Sequence, residues 1–144
     1  MAMELDLLKQ MPGHLIRRLQ QISSAHFARE MAEYKLTSVQ FIALAAIADT
    51  PQLDATRLAE LIDFDKATIG GVIERLVRKG LISRAVAPED RRVKRLAITP
   101  AGRALVQLGL PGVERAQQCI VAPLSEPERE HLHALLSKIV YAPR

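Results

Sequence analysis

The densest cluster of recognition chemistry in this sequence is Arg84–Thr99, RAVAPEDRRVKRLAIT, where two apolar runs flank a Pro-Glu-Asp turn. Five cations, Arg84, Arg91, Arg92, Lys94 and Arg95, crowd around that turn. The chemistry open to such groups is charge-assisted hydrogen bonding to phosphate or carboxylate. Residues 63–103 hold ten Lys and Arg against five acids, a local charge of +5 in a chain whose total is +4, so the remainder carries −1. A positive field concentrated on one unit suits a polyanion, because each neutralised phosphate releases condensed counterions. On charge alone, a solvated charged face is an equal alternative.

Other chemistries find little support. No GxSxG, HExxH, P-loop or dinucleotide fingerprint occurs, and the Gly70-Gly71 pair sits in a helical pattern with no preceding strand. The Ser, His and acidic residues form no arrangement that predicts a nucleophile, so no enzyme activity and no cofactor are expected. Cys119 is the single cysteine, which excludes an intramolecular disulfide, and in the apolar run QQCIVAPL it reads as inert and buried. His131 and His133 are two apart, on different faces of a helix, which disfavours a shared metal, and none is expected. The five aromatic residues include no Trp, which points to a helical core of Leu, Ile, Val and Ala. No segment approaches a membrane span and the start lacks a cleavage-site pattern, so a cytoplasmic protein without a membrane partner is expected.

The elements that must carry the cations can be read from periodicity and caps. Leu15, Ile16, Leu19, Ile22, Phe27 and Met31 make a helical stripe from Pro12 to about Tyr34. Thr37 with Gln40 is a capping box for a buried second helix with Phe41, Ile42, Leu44, Ala45 and Ile47, ending near Pro51. Two short helices follow across a turn of about three residues. Asp54 caps the first, with Leu58, Ala59, Leu61 and Ile62 inward; Asp63 or Asp65 caps the second, with Ile69, Ile73, Leu76 and Val77 inward. Such a pair is a helix-turn-helix, whose second helix can lie in the major groove. Gly80 closes it, and LISRAV and VKRLAIT, joined by APEDRR, form a hairpin. Val93, Arg95 and Ala97 share one face of the second strand and Lys94, Leu96 and Ile98 the other, and the pattern leaves open which meets the core. Thr99-Pro100 starts a helix to about Val121, bent or interrupted at Gly109–Gly112, and a Ser125/Glu128 capping box opens the last one.

A hairpin directly after a recognition helix is the wing of a winged helix-turn-helix, and cations at its tip can enter a narrow minor groove. The run LAELIDFDKATIGGVIERLVRKGLISRAVAPEDRRVKRLAITPAG resembles the DNA-binding core of the MarR family, the multiple antibiotic resistance regulators. The DKAT helix start, RLVRKGLI, the wing tip PEDRR and the exit LAITPAG follow in the family's order and spacing, and the flanking helices match its layout. The resemblance implies a mainly α fold with a small β-hairpin wing. Its DNA-binding lobe would span residues 36–100, with dimerisation helices at 1–35 and 101–144. It places Asp65, Lys66, Ala67, Thr68 and Arg75 on or beside the groove-facing side of the recognition helix. It puts the Asp-x-Arg wing signature on Asp90-Arg91-Arg92, with Asp90 bracing Arg92 and Arg91 or Lys94 approaching the minor groove. Gly70 and Gly71 depart from the family, which often carries a polar or Arg side chain there. The family's effector cavity lies between dimerisation helices and DNA-binding lobe, so His14, Arg17 and Arg18 of PGHLIRR, with Phe41, form the candidate ligand set. Exposed cations, or cations paired with acids of the other subunit, are the alternative for that motif.

The function this implies is that of a homodimeric transcriptional regulator. It would repress from a pseudo-palindromic operator in double-stranded DNA until a small effector, an aromatic carboxylate or its CoA thioester, releases it. The rival readings are an architectural DNA-binding protein without an effector, which predicts weak sequence preference, and a helical interaction module whose cationic wing binds an acidic protein.

Overall fold

Most helices of the computed structural model, which describes residues 2–144, begin where a local group can satisfy their first free N–H donors. The order is α1 (Ala2–Lys9), α2 (Pro12–Glu30), a 3-10 turn (Ala32–Tyr34), α3 (Ser38–Asp49), α4 (Ala55–Leu61), α5 (Ile69–Arg78), β1 (Ile82–Ala87), β2 (Asp90–Ile98), α6 (Pro100–Ile120) and α7 (Glu126–Val140). Pro12 occupies the first turn of α2, where its missing N–H costs nothing. Thr37 accepts the Gln40 N–H while the Gln40 side chain accepts the Thr37 N–H, a complete capping box for α3. Ser125 and Glu128 repeat it at α7, Asp54 caps α4, and Thr99 caps α6. The mainly α fold with one antiparallel hairpin is the architecture expected from the sequence.

Four element boundaries differ from those expected. A separate two-turn helix, α1, precedes Pro12. The helix expected to reach Tyr34 ends at Glu30, and the chain continues as a 3-10 turn that leaves through Lys35 in the left-handed region, φ 52°. The turn between α4 and α5 spans residues 62–68 and carries Asp63 at φ 55°. Helix α6 runs from Pro100 to Ile120 without interruption, with Pro111 inside it.

The core lies where α3, α4 and α5 meet the foot of the hairpin, with α2 and α6 closing one side. Leu44, Leu58 and Leu76 are fully enclosed, as is Met31 from the end of α2. Two of the three phenylalanines are also in it: Phe27 and Phe41 meet edge to face with ring centroids 6.4 Å apart. Leu61, expected inward, is exposed, because α4 is less than two turns long and buries Leu58 and Ala59 instead. The apolar positions of α1 (Leu5, Leu7, Leu8), the first half of α2 (Leu15, Ile16) and α7 (Leu135, Leu136, Ile139) are exposed. No helix among the described residues is long and apolar enough to cross a membrane.

Candidate nucleic-acid interface and effector cavity

The helix-turn-helix is assembled by burial of one face of α5. Ile69, Ile73 and Leu76 are buried, which leaves Gly70, Gly71, Glu74, Arg75 and Arg78 on the outer face. Helix α5 begins at Ile69, so Asp65, Lys66, Ala67 and Thr68 form the turn leading into it and not its first residues. The cause is local. Asp65 folds its carboxylate onto the Ala67 N–H at 3.0 Å, and its carbonyl accepts the N–H groups of Thr68 and Ile69. The next bond, Gly71 N–H to the Thr68 carbonyl, has 3-10 spacing. Gly70 and Gly71, the second and third residues of α5, weaken its first turn by about 1 kcal/mol each. Lys66 pairs with Glu60 of α4 at 3.2 Å across the turn, a solvent-exposed pair that another anion can displace at small cost.

The wing is a two-residue turn, Pro88-Glu89, between strands whose register slips at the tip. Val86 pairs with Lys94 but Ala87 pairs with Asp90, so Arg91, Arg92 and Val93 bulge out of the ladder. Asp90 holds the bulge: it accepts the Arg92 backbone N–H at 3.0 Å and the Arg92 guanidinium at 3.2 and 3.3 Å. These bonds from Arg92, side chain first and backbone second, keep the Asp90 carboxyl below its ordinary range. The strand face left open by the sequence is decided by Leu96, which is buried. Lys94, Leu96 and Ile98 therefore share the face that includes the core contact, while the Leu96 N–H donates in the plane of the sheet to the Leu53 carbonyl at 2.7 Å.

The cations therefore divide by partner. Among the described residues Lys66, Arg92 and Arg95 are engaged by acids of their own chain. Arg75 and Arg78 on α5, Arg84 on β1, and Arg91 and Lys94 at the tip are exposed and make no ion pair or side-chain hydrogen bond with any described residue.

Between α2, α3 and α6 lies a cavity of about 360 Å³, walled by Phe27, Phe41, Ile42, Ala45 and Val113, with Ser38 and Gln117 as polar members of its lining. Its volume is that of a small-ligand pocket. Of the candidate ligand set the structure brings only Phe41 to this cavity. His14, Arg17 and Arg18 stand on the first turns of α2, where Arg17 meets His14 at 3.3 Å and Arg18 reaches Gln21. At 1.5 Å per residue, His14 is about 20 Å along α2 from Phe27. The lining residues Ser38, Val113 and Gln117 carry no sequence signal of their own, because three separate helices supply the walls.

Close packing joins this cavity to α6. A Cβ on Gly109 would stand 2.8 Å from both the Met31 methyl and the Phe41 ring, so α6 rests against the cavity wall itself. Tyr34, in the 3-10 turn, donates its hydroxyl to the Leu108 carbonyl at 3.1 Å, three residues before Pro111. Desolvation, and then Glu33 beside it, push its phenol above the ordinary value. Cys119 is part-exposed and not buried as expected; the Arg29 guanidinium lies 3.9 Å from its sulfur. No group of three or more His, Cys, Asp and Glu among the described residues could hold a metal ion.

Comparison with known proteins gives a consistent result. The model of the MarR family matches residues 36–94. The HTH-type transcriptional repressor NicR of Pseudomonas putida is 31% identical over 128 residues, which are 89% of this chain and 81% of the relative. Among solved structures, Bordetella bronchiseptica BpsR, whose DNA binding is regulated by 6-hydroxynicotinic acid, superposes with a TM-score of 0.86 at 35% identity, covering 94% of this chain and 96% of that one. The transcriptional repressor CouR, solved bound to a 23-mer DNA duplex, gives a TM-score of 0.83 at 25% identity, covering 92% and 94%.

Proposed function

This chain belongs to the MarR family, and from that premise we propose that it is a homodimeric DNA-binding repressor, released from a pseudo-palindromic operator by a small aromatic carboxylate or its CoA thioester. The observation that carries the DNA-binding reading is the set of unpaired cations on α5 and the hairpin, Arg75, Arg78, Arg84, Arg91 and Lys94, while neighbouring cations are engaged internally. In this reading α5 enters the major groove and Arg75 with the turn residues Asp65, Lys66, Ala67 and Thr68 meets base edges or phosphates. Arg91 and Lys94 approach the minor groove, and Asp90 and Arg92 hold the bulge that presents them. Two-fold pairing of α1, α2, α6 and α7 with a second copy covers the apolar faces that a single chain leaves exposed. It also sets the two recognition helices about one duplex turn apart, roughly 10 bp. The DNA complex of CouR supports this reading.

The effector occupies the cavity between α2, α3 and α6, where the two phenylalanines favour a flat ring and Ser38 and Gln117 offer hydrogen bonds. The regulation of BpsR by 6-hydroxynicotinic acid supports an aromatic acid. His14, Arg17 and Arg18 serve as the counter-cations for the carboxylate, contributed across the dimer, since a single chain keeps them far from the cavity. A ligand that separates the two lobes opposes simultaneous docking of both helices, and affinity falls by the coupling free energy, typically about 1–3 kcal/mol.

The test is fluorescence anisotropy on the protein's own upstream intergenic DNA against a scrambled duplex, across a salt series, with and without aromatic acids. Selective binding relieved by an acid is expected. Equal, steeply salt-dependent binding to both duplexes would establish an architectural protein instead, and no binding to either would end the nucleic-acid reading.

A further inference from the structure

The remaining wing cation, Arg95, has a different set of partners from its neighbours. It sits in β2 opposite Ala85, and its guanidinium reaches in two directions: to Glu89 in the tip turn, and to the Gln52 side-chain carbonyl at 2.7 Å in the connection between α3 and α4. Only 33% of its side chain is exposed, against 90% for Arg92. The next residue, Leu96, donates its N–H to Leu53. Two consecutive residues of β2 are thus tied to two consecutive residues of the α3–α4 connection, one tie through backbone and one through side chains.

Two further features give the side-chain tie weight. Gln52 follows Pro51 with φ at 65°, a left-handed position that favours glycine. A glutamine held there keeps an amide that glycine lacks, and that amide is the group Arg95 uses. Gln52 and Arg95 themselves line a cavity of about 290 Å³, together with Ile47, Leu96, Ile98 and Arg103, so the space between the α3–α4 connection and the strand is not filled by packing alone. A two-stranded ribbon has little rigidity of its own. Its direction must come from what it is fastened to.

We propose that Arg95 and Gln52 form a brace that fixes the direction of the wing, so that Arg95 is a positioning residue and not a DNA contact. Glu89 extends the brace to the tip, which makes the orientation of Arg91 and Lys94 depend on an amide at residue 52, far from either. This rests on the reading of the wing as a DNA-binding element, but the brace itself can be observed without DNA.

Gln52→Gly decides the matter, because it removes the acceptor, keeps every cation and relieves the left-handed backbone. A thermal melt first sets an assay temperature at which the variant is folded. Without DNA, limited trypsin digestion of the full chain is expected to cut after Arg91 and Arg92 faster than in the wild type, while Gln52→Glu, which keeps an acceptor for Arg95, restores protection. With operator DNA, affinity is expected to fall about tenfold, the scale of one hydrogen bond to a charged group, with the slope of log affinity against log salt unchanged because no phosphate contact is lost. Wild-type cleavage rates in Gln52→Gly would overturn the brace. So would Arg95→Gln lowering the salt slope by about one with no gain in cleavage, the signature of a direct phosphate contact. If the wild type binds no DNA, the DNA-binding reading fails and the digestion alone still decides the brace.

Discussion

Alanine at Gly102 and alanine at Gly71 should move stability in opposite directions. A Cβ on Gly102, in the first turn of α6, would stand 2.1 Å from the Leu81 carbonyl oxygen and 2.7 Å from the Ile98 terminal methyl. Real Cβ atoms keep at least 3.0 Å from such neighbours, so the helix start and the foot of the wing must part by roughly 1 Å. The obstacle is backbone, and the same Leu81 carbonyl already accepts the Thr99 N–H at 3.1 Å. Gly102→Ala gains about 1 kcal/mol of helix propensity. Against this stand about 3 kcal/mol of overpacking at a rigid wall and about 1 kcal/mol for the strained Thr99 bond. The net is a loss of about 3 kcal/mol. Gly71, in α5, has nothing within 4 Å of its Cβ position and no special backbone conformation. Gly71→Ala therefore gains about 0.5–1 kcal/mol. Urea denaturation at one fixed protein concentration, required because dimerisation couples to stability, reads both. With a slope of about 2 kcal/mol per molar, the two midpoints should lie on either side of the wild type and differ by about 2 M. Two raised midpoints would refute the reasoning at Gly102, since α6 would then slide off Leu81 at no cost; two lowered ones would refute it at Gly71. If Gly71→Ala is more stable but binds operator more weakly, the helix backbone at Gly71 approaches the duplex closely.

Arg91→Ala with Lys94→Ala should weaken operator binding strongly and lower the salt slope by about two, read from anisotropy at several salt concentrations; an unchanged slope would remove the tip from the interface. The Asp90 carboxyl is held below its ordinary range in the folded wing, so its stabilising effect is fully present above the unfolded value of about 3.9 and is lost as pH falls through the lower folded value. An NMR titration of Asp90 should therefore show a midpoint below that of Arg92→Ala, and operator binding should be indifferent to Asp90 ionisation between about pH 6 and 8. Filling the cavity with Ala45→Leu should leave operator affinity near wild type while abolishing release by an aromatic acid, measured with the same duplex; retained release would put the effector elsewhere. His14→Ala with Arg18→Ala should weaken acid-induced release and leave the salt slope of DNA binding unchanged, since neither side chain is on α5 or the wing.

What could be read from the sequence alone is what nearby residues decide among themselves. The Thr37/Gln40 and Ser125/Glu128 boxes, the Asp54 and Thr99 caps and the Gly80 helix exit, with φ 73°, depend on groups three residues apart or on one backbone angle, so composition at those positions is enough. The excess of cations in residues 63–103 is likewise a property of the string. The start of α5 was less legible, because two acids and two glycines compete within residues 63–71 and the carboxylate of Asp65 folds onto its own turn. What only the tertiary structure decided are choices between equivalent local options. Strand alternation offers two faces, and it is the core that selects the one with Leu96. Five cations look alike around the turn, yet Asp90 takes Arg92, and Glu89 with Gln52 takes Arg95, leaving Arg84, Arg91 and Lys94 exposed. The cavity gathers residues from Phe27 to Gln117, and no periodicity within one helix records which face another helix will leave uncovered. Local chemistry acts through bonds spanning a few residues, whereas partner choice and cavity shape are set by which distant surfaces exclude water together.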